Sequence, residues 1–135
     1  MPESDWNPIT WNEAQKTDQH ITAYRASKTF AEKAAWKFLD EKKPHFDIIT
    51  IQPPLVFGPC EHNVTLDSLN ESNAQIWRII SGGKDTKIPP TTVWRWVDVR
   101  DVAAAHVAAI DDTVKGNQRF LVSGGEFTWQ KVRLL

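Results

Sequence analysis

The chain has 135 residues, 41% of them hydrophobic and 24% charged, and sixteen basic against seventeen acidic side chains leave a net charge of -1. That composition excludes disorder, collagen-like repeats and coiled coil, and the absence of a basic surplus argues against nucleic acid as a main partner. The lone cysteine, Cys60, fits a reducing compartment, no apolar run nears the ~20 residues of a membrane span, and Met1-Pro2-Glu3-Ser4-Asp5 lacks the regions of a secretory signal. The expectation is a single cytoplasmic domain.

Residues 1–20 read as loop, with Trp6, Pro8 and Trp11 among polar residues and a short helical turn at 12–15. Over residues 22–41, Ala26, Phe30, Ala34 and Phe38 recur at spacing four, with Ala23, Ala31, Ala35 and Leu39 beside them and charged Lys33, Lys37 and Asp40 opposite, which predicts a helix of about five turns. Lys42 and Lys43 suit its negative end, and Pro44 stops it. Residues 47–52 form a β-branched run that predicts a strand buried on both faces, as in parallel sheets. Residues 53–59, with three prolines and a glycine, leave it as a stiff loop.

A second helix is expected over residues 66–81, ended by Gly82-Gly83. Val93-Trp94-Arg95-Trp96-Val97 alternates as a strand, and Asp98 then caps an alanine-rich helix over residues 99–110, with Asp101 in its first turn. Residues 119–123 predict a last short strand, and 127–135 open an amphipathic helix. Helices and strands alternate, which makes an α/β chain with crossover connections. Both ends read as cuts through a longer sequence or, equally, as natural termini that fray.

Tyr24-Arg25-Ala26-Ser27-Lys28 carries the sharpest chemical signal. Tyrosine and lysine four apart near the start of a helix share one face. A phenol is a weak acid, ordinarily near pKa 10. A neighbouring ammonium stabilises the phenolate and brings it toward the working range of a general acid. Alone, the pair is equally a half-buried tyrosine beside a solvated lysine. Cys60-Glu61-His62 lacks the further ligands a metal site needs, so no metal is expected. His106 reads as a helix-face residue rather than a base, and the two Asn-x-Ser/Thr sequons as coincidence without a secretory signal. Ser81-Gly82-Gly83-Lys84 lacks the P-loop spacing, and the tryptophans, Trp94 and Trp96 among them, are expected in the core or in lobe packing rather than as a sugar or aromatic platform.

The order of the blocks adds what the pair lacks. A Pro-x-x-Val-x-Gly-Pro loop, Pro53 to Pro59, follows a strand about thirty residues after the tyrosine, and Val97-Asp98-Val99-Arg100-Asp101-Val102-Ala103 with His106 follows later. With Asp5-Trp6-Asn7-Pro8 and Phe30-Ala31-Glu32-Lys33-Ala34-Ala35-Trp36, this order resembles the extended short-chain dehydrogenase/reductases. Within them it is similar to the fungal aldehyde and ketone reductases of the methylglyoxal reductase group, related to plant dihydroflavonol reductases.

The resemblance implies an incomplete Rossmann-type α/β fold over residues 1–135, lacking the N-terminal dinucleotide-binding half, with 60–96 contributing to the substrate lobe. It implies NADPH as cofactor and a small-molecule carbonyl as substrate. Tyr24 matches the catalytic acid, and Lys28 the lysine that activates it and holds the nicotinamide ribose. Val56 matches a backbone contact to the nicotinamide end, and Ser72 a serine reaching the phosphates. The six glycines, at 58, 82, 83, 116, 124 and 125, form no dinucleotide fingerprint, and Ser4 is too near Tyr24 to be the carbonyl-binding serine. The expectation is therefore a chain inactive by itself. Two rivals stand beside it: a sugar-nucleotide epimerase or dehydratase of the same superfamily, and a non-catalytic chain that associates through an open sheet edge.

Overall fold

The computed structural model describes residues 5–83 and 85–133. Residues 1–4, Ser4 among them, lie outside the described residues. So do Lys84 of the expected helix stop and Leu134 and Leu135 of the final helical run. The chain divides into two compact units, Met1–Thr50 with Lys115–Phe120, and Ile51–Val114 with Leu121–Leu135.

In the first unit, α1 (Trp11–Lys16) begins with a capping box. The Thr10 hydroxyl accepts from the Glu13 amide at 3.3 Å, and the Glu13 carboxylate accepts from the Thr10 amide at 2.8 Å, which satisfies two end donors at once. Helix α2 (His20–Lys42) is the predicted long helix, extended slightly at both ends. It closes on Lys43 in the left-handed conformation (φ 47°), whose amide returns to the Leu39 carbonyl at 3.0 Å before Pro44. The Trp11 ring meets Phe30 edge-on at 5.0 Å, fixing α1 on α2.

The predicted apolar stripe of α2 needs correction. Ala26 is buried, but Ala34 and Phe38 are exposed, while Ala35, Trp36 and Leu39 turn inward. A strict spacing of four advances 40° beyond a full turn at each step, so it walks off any straight face, whereas a 3.6-residue period stays on it.

Strand β1 (Ile49–Gln52) pairs with β4 (Gln118–Leu121) in a two-stranded sheet. The expected fully buried run is shorter than predicted, and each of its four residues is only half-buried. Asn117, in left-handed conformation (φ 56°), accepts the Ile48 amide at 3.0 Å through its side chain. Gly116 passes so close to Asp47 that a Cβ there would run into its carboxylate.

The second unit holds the three-stranded sheet β2-β3-β5. Here residues 53–59 differ from the loop expected. Leu55, Val56 and Phe57 form β2 (Leu55–Phe57), parallel to β3 (Arg95–Asp98) with Val56 opposite Val97. Prolines 53 and 54, without amide donors, end β1; Leu55 then starts a new pairing. Between them runs α3 (Glu71–Ser81), so β2-α3-β3 is a crossover unit. The helix expected over 66–81 is interrupted: a 3-10 turn occupies Leu66–Ser68, and α3 restarts after Asn70. The last strand, β5 (Gly125–Glu126), lies antiparallel to β3.

Helix α4 (Val99–Ala108) follows β3 directly with Asp98 as its cap, as predicted, and α5 (Trp129–Arg133) is the beginning of the final helical run. The core of this unit is Ile79, Phe127 and Trp129, with Leu55, Phe57 and Trp96 packed against it. Phe127 and Trp129 meet edge-on at 4.9 Å, and Phe57 meets Phe127 at 5.5 Å. Trp96 joins this aromatic cluster, but Trp94 precedes the strand and is 59% exposed, so it lies outside this core. No helix among the described residues is long and apolar enough to cross a membrane.

Candidate functional site

Tyr24 and Lys28 lie one turn apart in the second and third turns of α2. Helical side chains lean toward the N-terminus, so Lys28 reaches back over Tyr24. Its ammonium stands 5.6 Å from the centre of the phenol ring. Tyr24 is 58% exposed, and Lys28 is exposed beside it. Between them Ser27 turns away, its hydroxyl donating to the Tyr24 carbonyl at 2.8 Å. The sequence-predicted pair is therefore together, polar and reachable.

The next turn of α2 carries an ion pair that ties this helix down. The guanidinium of Arg119 on β4 donates to both oxygens of Glu32, Nε to Oε1 at 2.9 Å and Nη2 to Oε2 at 3.3 Å. Oε1 also accepts the Trp36 indole at 3.1 Å and the Thr50 hydroxyl at 2.8 Å. The side chains of Glu32 and Arg119 are each only 17% exposed. Partial burial pushes the Glu32 carboxyl up, but the hydrogen bonds of Arg119, Trp36 and Thr50 and the guanidinium charge outweigh it. The carboxyl is held below its usual range. Arg119 further donates to the Asp5 carbonyl at 3.2 Å and lies 3.9 Å over the Trp6 ring. One cluster thus joins the opening loop, α2, β1 and β4.

Val56 and Ser72 belong to the second unit, whereas Tyr24 and Lys28 belong to the first. Val56 is the middle residue of β2, half-buried against Val97. Gly58 follows with φ 137°, and a Cβ there would stand 2.8 Å from Val99 Cγ1 at the start of α4. Ser72 is the second residue of α3, half-buried, in the turn whose amides have no partner within the helix; the Asn70 side chain makes no capping bond there. The same unit has a cleft of about 590 Å³ beside α3 and α5, lined by Gln75, Arg78, Ile79, Pro89 and Trp129 among others.

Asp98 caps α4 through the Arg100 amide (2.8 Å) and grips the Arg100 guanidinium with both oxygens (2.8 and 2.7 Å). The Arg100 side chain above all, then its amide, pushes the Asp98 carboxyl down to about 2. His106 Nδ1 donates to the Val102 carbonyl at 2.8 Å, the helix-face role read from sequence. Cys60 is exposed and accepts from Asn73 at 3.5 Å. Sequence reading missed the Glu32–Arg119 cluster. The Glu32 and Trp36 spacing of four was a usable signal for half of it, but Arg119 lies 87 residues away.

The model of the NAD dependent epimerase/dehydratase family matches residues 4–123. An uncharacterized oxidoreductase of Schizosaccharomyces pombe is 51% identical over 127 residues, covering 93% of this chain and 37% of that protein. A ketoreductase of Aspergillus niger is 43% identical over 132 residues, covering 96% of this chain and 38% of that protein. The crystal structure of yeast methylglyoxal/isovaleraldehyde reductase Gre2 complexed with NADPH superposes with a TM-score of 0.87 at 38% identity, over 96% of this chain and 38% of that one. The chain thus spans well under half the length of these relatives, and its α/β architecture is part of theirs. With the family pattern running through the helix of Tyr24, the parallel β2–β3 pair and the capped α4, this chain belongs to the NAD dependent epimerase/dehydratase family.

Proposed function

We propose that this chain is the proton-donating portion of an NADPH-dependent reductase of small aldehydes or ketones. The observation that carries the reading is the Tyr24–Lys28 pair: a reachable phenol with an ammonium 5.6 Å from its ring centre. The likeness to a reductase crystallised with NADPH supports it.

When bound, NADPH supplies the hydride. Tyr24 gives its phenolic proton to the carbonyl oxygen of the substrate, and the Lys28 charge stabilises the phenolate left behind. Lys28 also has ammonium hydrogens to spare for ribose hydroxyls, since it makes no ion pair among the described residues. Ser72, in the open first turn of α3, offers a hydroxyl and neighbouring amides suited to phosphate. Val56 contributes backbone contact near the nicotinamide end, and residues 60–96 contribute to the substrate lobe, with the cleft beside α3 lined partly by that segment. None of the six glycines forms a fingerprint for the adenine side, so the 135-residue chain alone has little or no turnover.

The test is NADPH consumption with methylglyoxal, followed by absorbance in the longest natural product that carries this sequence. Tyr24→Phe lowers kcat by about 10²–10⁴-fold. A Tyr24→Phe enzyme as fast as wild type overturns the assignment, and robust turnover by the 135-residue chain overturns the expected inactivity.

A further inference from the structure

Lys28 stands midway between two groups on α2: Tyr24 one turn before it and Glu32 one turn after. Residues four apart on a helix are surface neighbours, and a lysine and a glutamate at that spacing pair when both are available. Here they do not pair among the described residues; the ammonium lies over Tyr24 instead. The reason is visible in the Glu32 carboxylate. It has about four lone-pair sites. Oε1 already takes three donors, from Arg119 Nε, Trp36 and Thr50, and Oε2 is held by Arg119 Nη2, so the guanidinium engages both oxygens.

We infer that Arg119 is a positioning residue for the Tyr24–Lys28 pair: by occupying both oxygens of Glu32, it denies Lys28 a competing counter-ion and leaves the ammonium to Tyr24. The inference deepens the reductase reading and rests on it for its functional meaning, though not for its test. Without Arg119, two acceptor sites open on a carboxylate whose charge is no longer compensated. Lys28 is one turn away. Lys33, the other cation nearby, is already engaged over the Trp6 and Phe30 rings at 5.3 and 5.7 Å. A lysine drawn to Glu32 ceases to support the phenolate of Tyr24.

Tyr24 is the only tyrosine in the chain, so a tyrosine-specific reagent reports on it alone. Tetranitromethane attacks the phenolate, and the nitrated Tyr24 peptide is quantified by mass spectrometry in the folded 135-residue protein near pH 8. Arg119→Met slows nitration by about threefold, the factor for losing one unit charge ~7 Å away at a dielectric constant near that of water. Lys28→Met slows it by a similar factor. Adding Arg119→Met to Lys28→Met then changes nothing further, and Arg119→Met with Glu32→Gln restores the wild-type rate. Circular dichroism confirms that each variant is folded. If Arg119→Met does not fold, Arg119→Lys, which keeps the charge but not both bonds, gives a smaller slowing of about 1.5-fold, less than half an RT of coupling.

An unchanged rate in the folded Arg119 variant overturns the inference. So does a slowing that persists undiminished in the Lys28→Met background, because the effect would then bypass Lys28. Retained turnover in Tyr24→Phe would remove the reductase reading and leave these rates standing, so the two failures are distinguishable.

Discussion

Replacing Glu32 by alanine tests whether the ion pair beneath the candidate site holds the first unit together. The substitution removes four hydrogen bonds at once and leaves the Arg119 guanidinium, 17% exposed, with the Asp5 carbonyl and the Trp6 face among its remaining partners. Breaking a buried pair by deleting one member costs about 3–5 kcal/mol. Residual exposure places this pair at the low end, about 3 kcal/mol, a large share of the 5–15 kcal/mol typical of a whole domain. For a chain of this size that is a fall in Tm of about 10 °C. Urea unfolding followed by tryptophan fluorescence reads the loss as a lower midpoint. The pH dependence has a definite sign. The Glu32 carboxyl is depressed in the folded chain, so its contribution is complete above the ordinary carboxylate range. It is lost as pH falls through the depressed folded value. The gap between wild type and Glu32→Ala therefore stays constant from pH 6 to 8 and narrows below about pH 4. A cost under about 1 kcal/mol at pH 7, or a gap unchanged at pH 3, refutes the reasoning.

Gly58→Ala forces a side chain into a backbone with φ 137° and within 2.8 Å of Val99; a loss of about 2–3 kcal/mol is expected from strain and overlap together, measured by thermal unfolding. Asp98 titrates at about 2 in the folded chain, so its cap on α4 persists as acid is added and gives way only as pH falls through that value; carboxyl carbon shifts in NMR follow it, and a midpoint near 4 would show that the Arg100 contacts do not form in solution.

The long helix α2 was legible because thirteen or more of its residues are strong helix formers and Pro44 bounds it. The pair Tyr24 and Lys28 was legible for the same reason, since spacing within a helix fixes a shared face. Asp98 announced the start of α4 by chemistry alone. What the sequence did not disclose depends on distant partners. Leu55, Val56 and Phe57 are a three-residue run between Pro54 and Gly58-Pro59, and nothing local marks them as a strand; β3 makes them one by pairing. The break in the helix expected over 66–81 had no local mark either, since Asn70 ahead of α3 makes no side-chain capping bond. Trp94 and Trp129 are equally apolar, yet only the register of β3 and the return of the chain through β5 decide which is enclosed. Arg119 had no local mark at all, because its meaning lies with Glu32.

The order in which these pieces leave the ribosome follows from the split makeup of the first unit. Residues 1–50 emerge early, but the stretch 115–120 that completes them comes only after the whole intervening segment has been made. Until then β1 lacks β4 and Glu32 lacks the Arg119 guanidinium. While residues 51–114 are being made, β1 stands without β4, and the intervening segment can already form its parallel crossover.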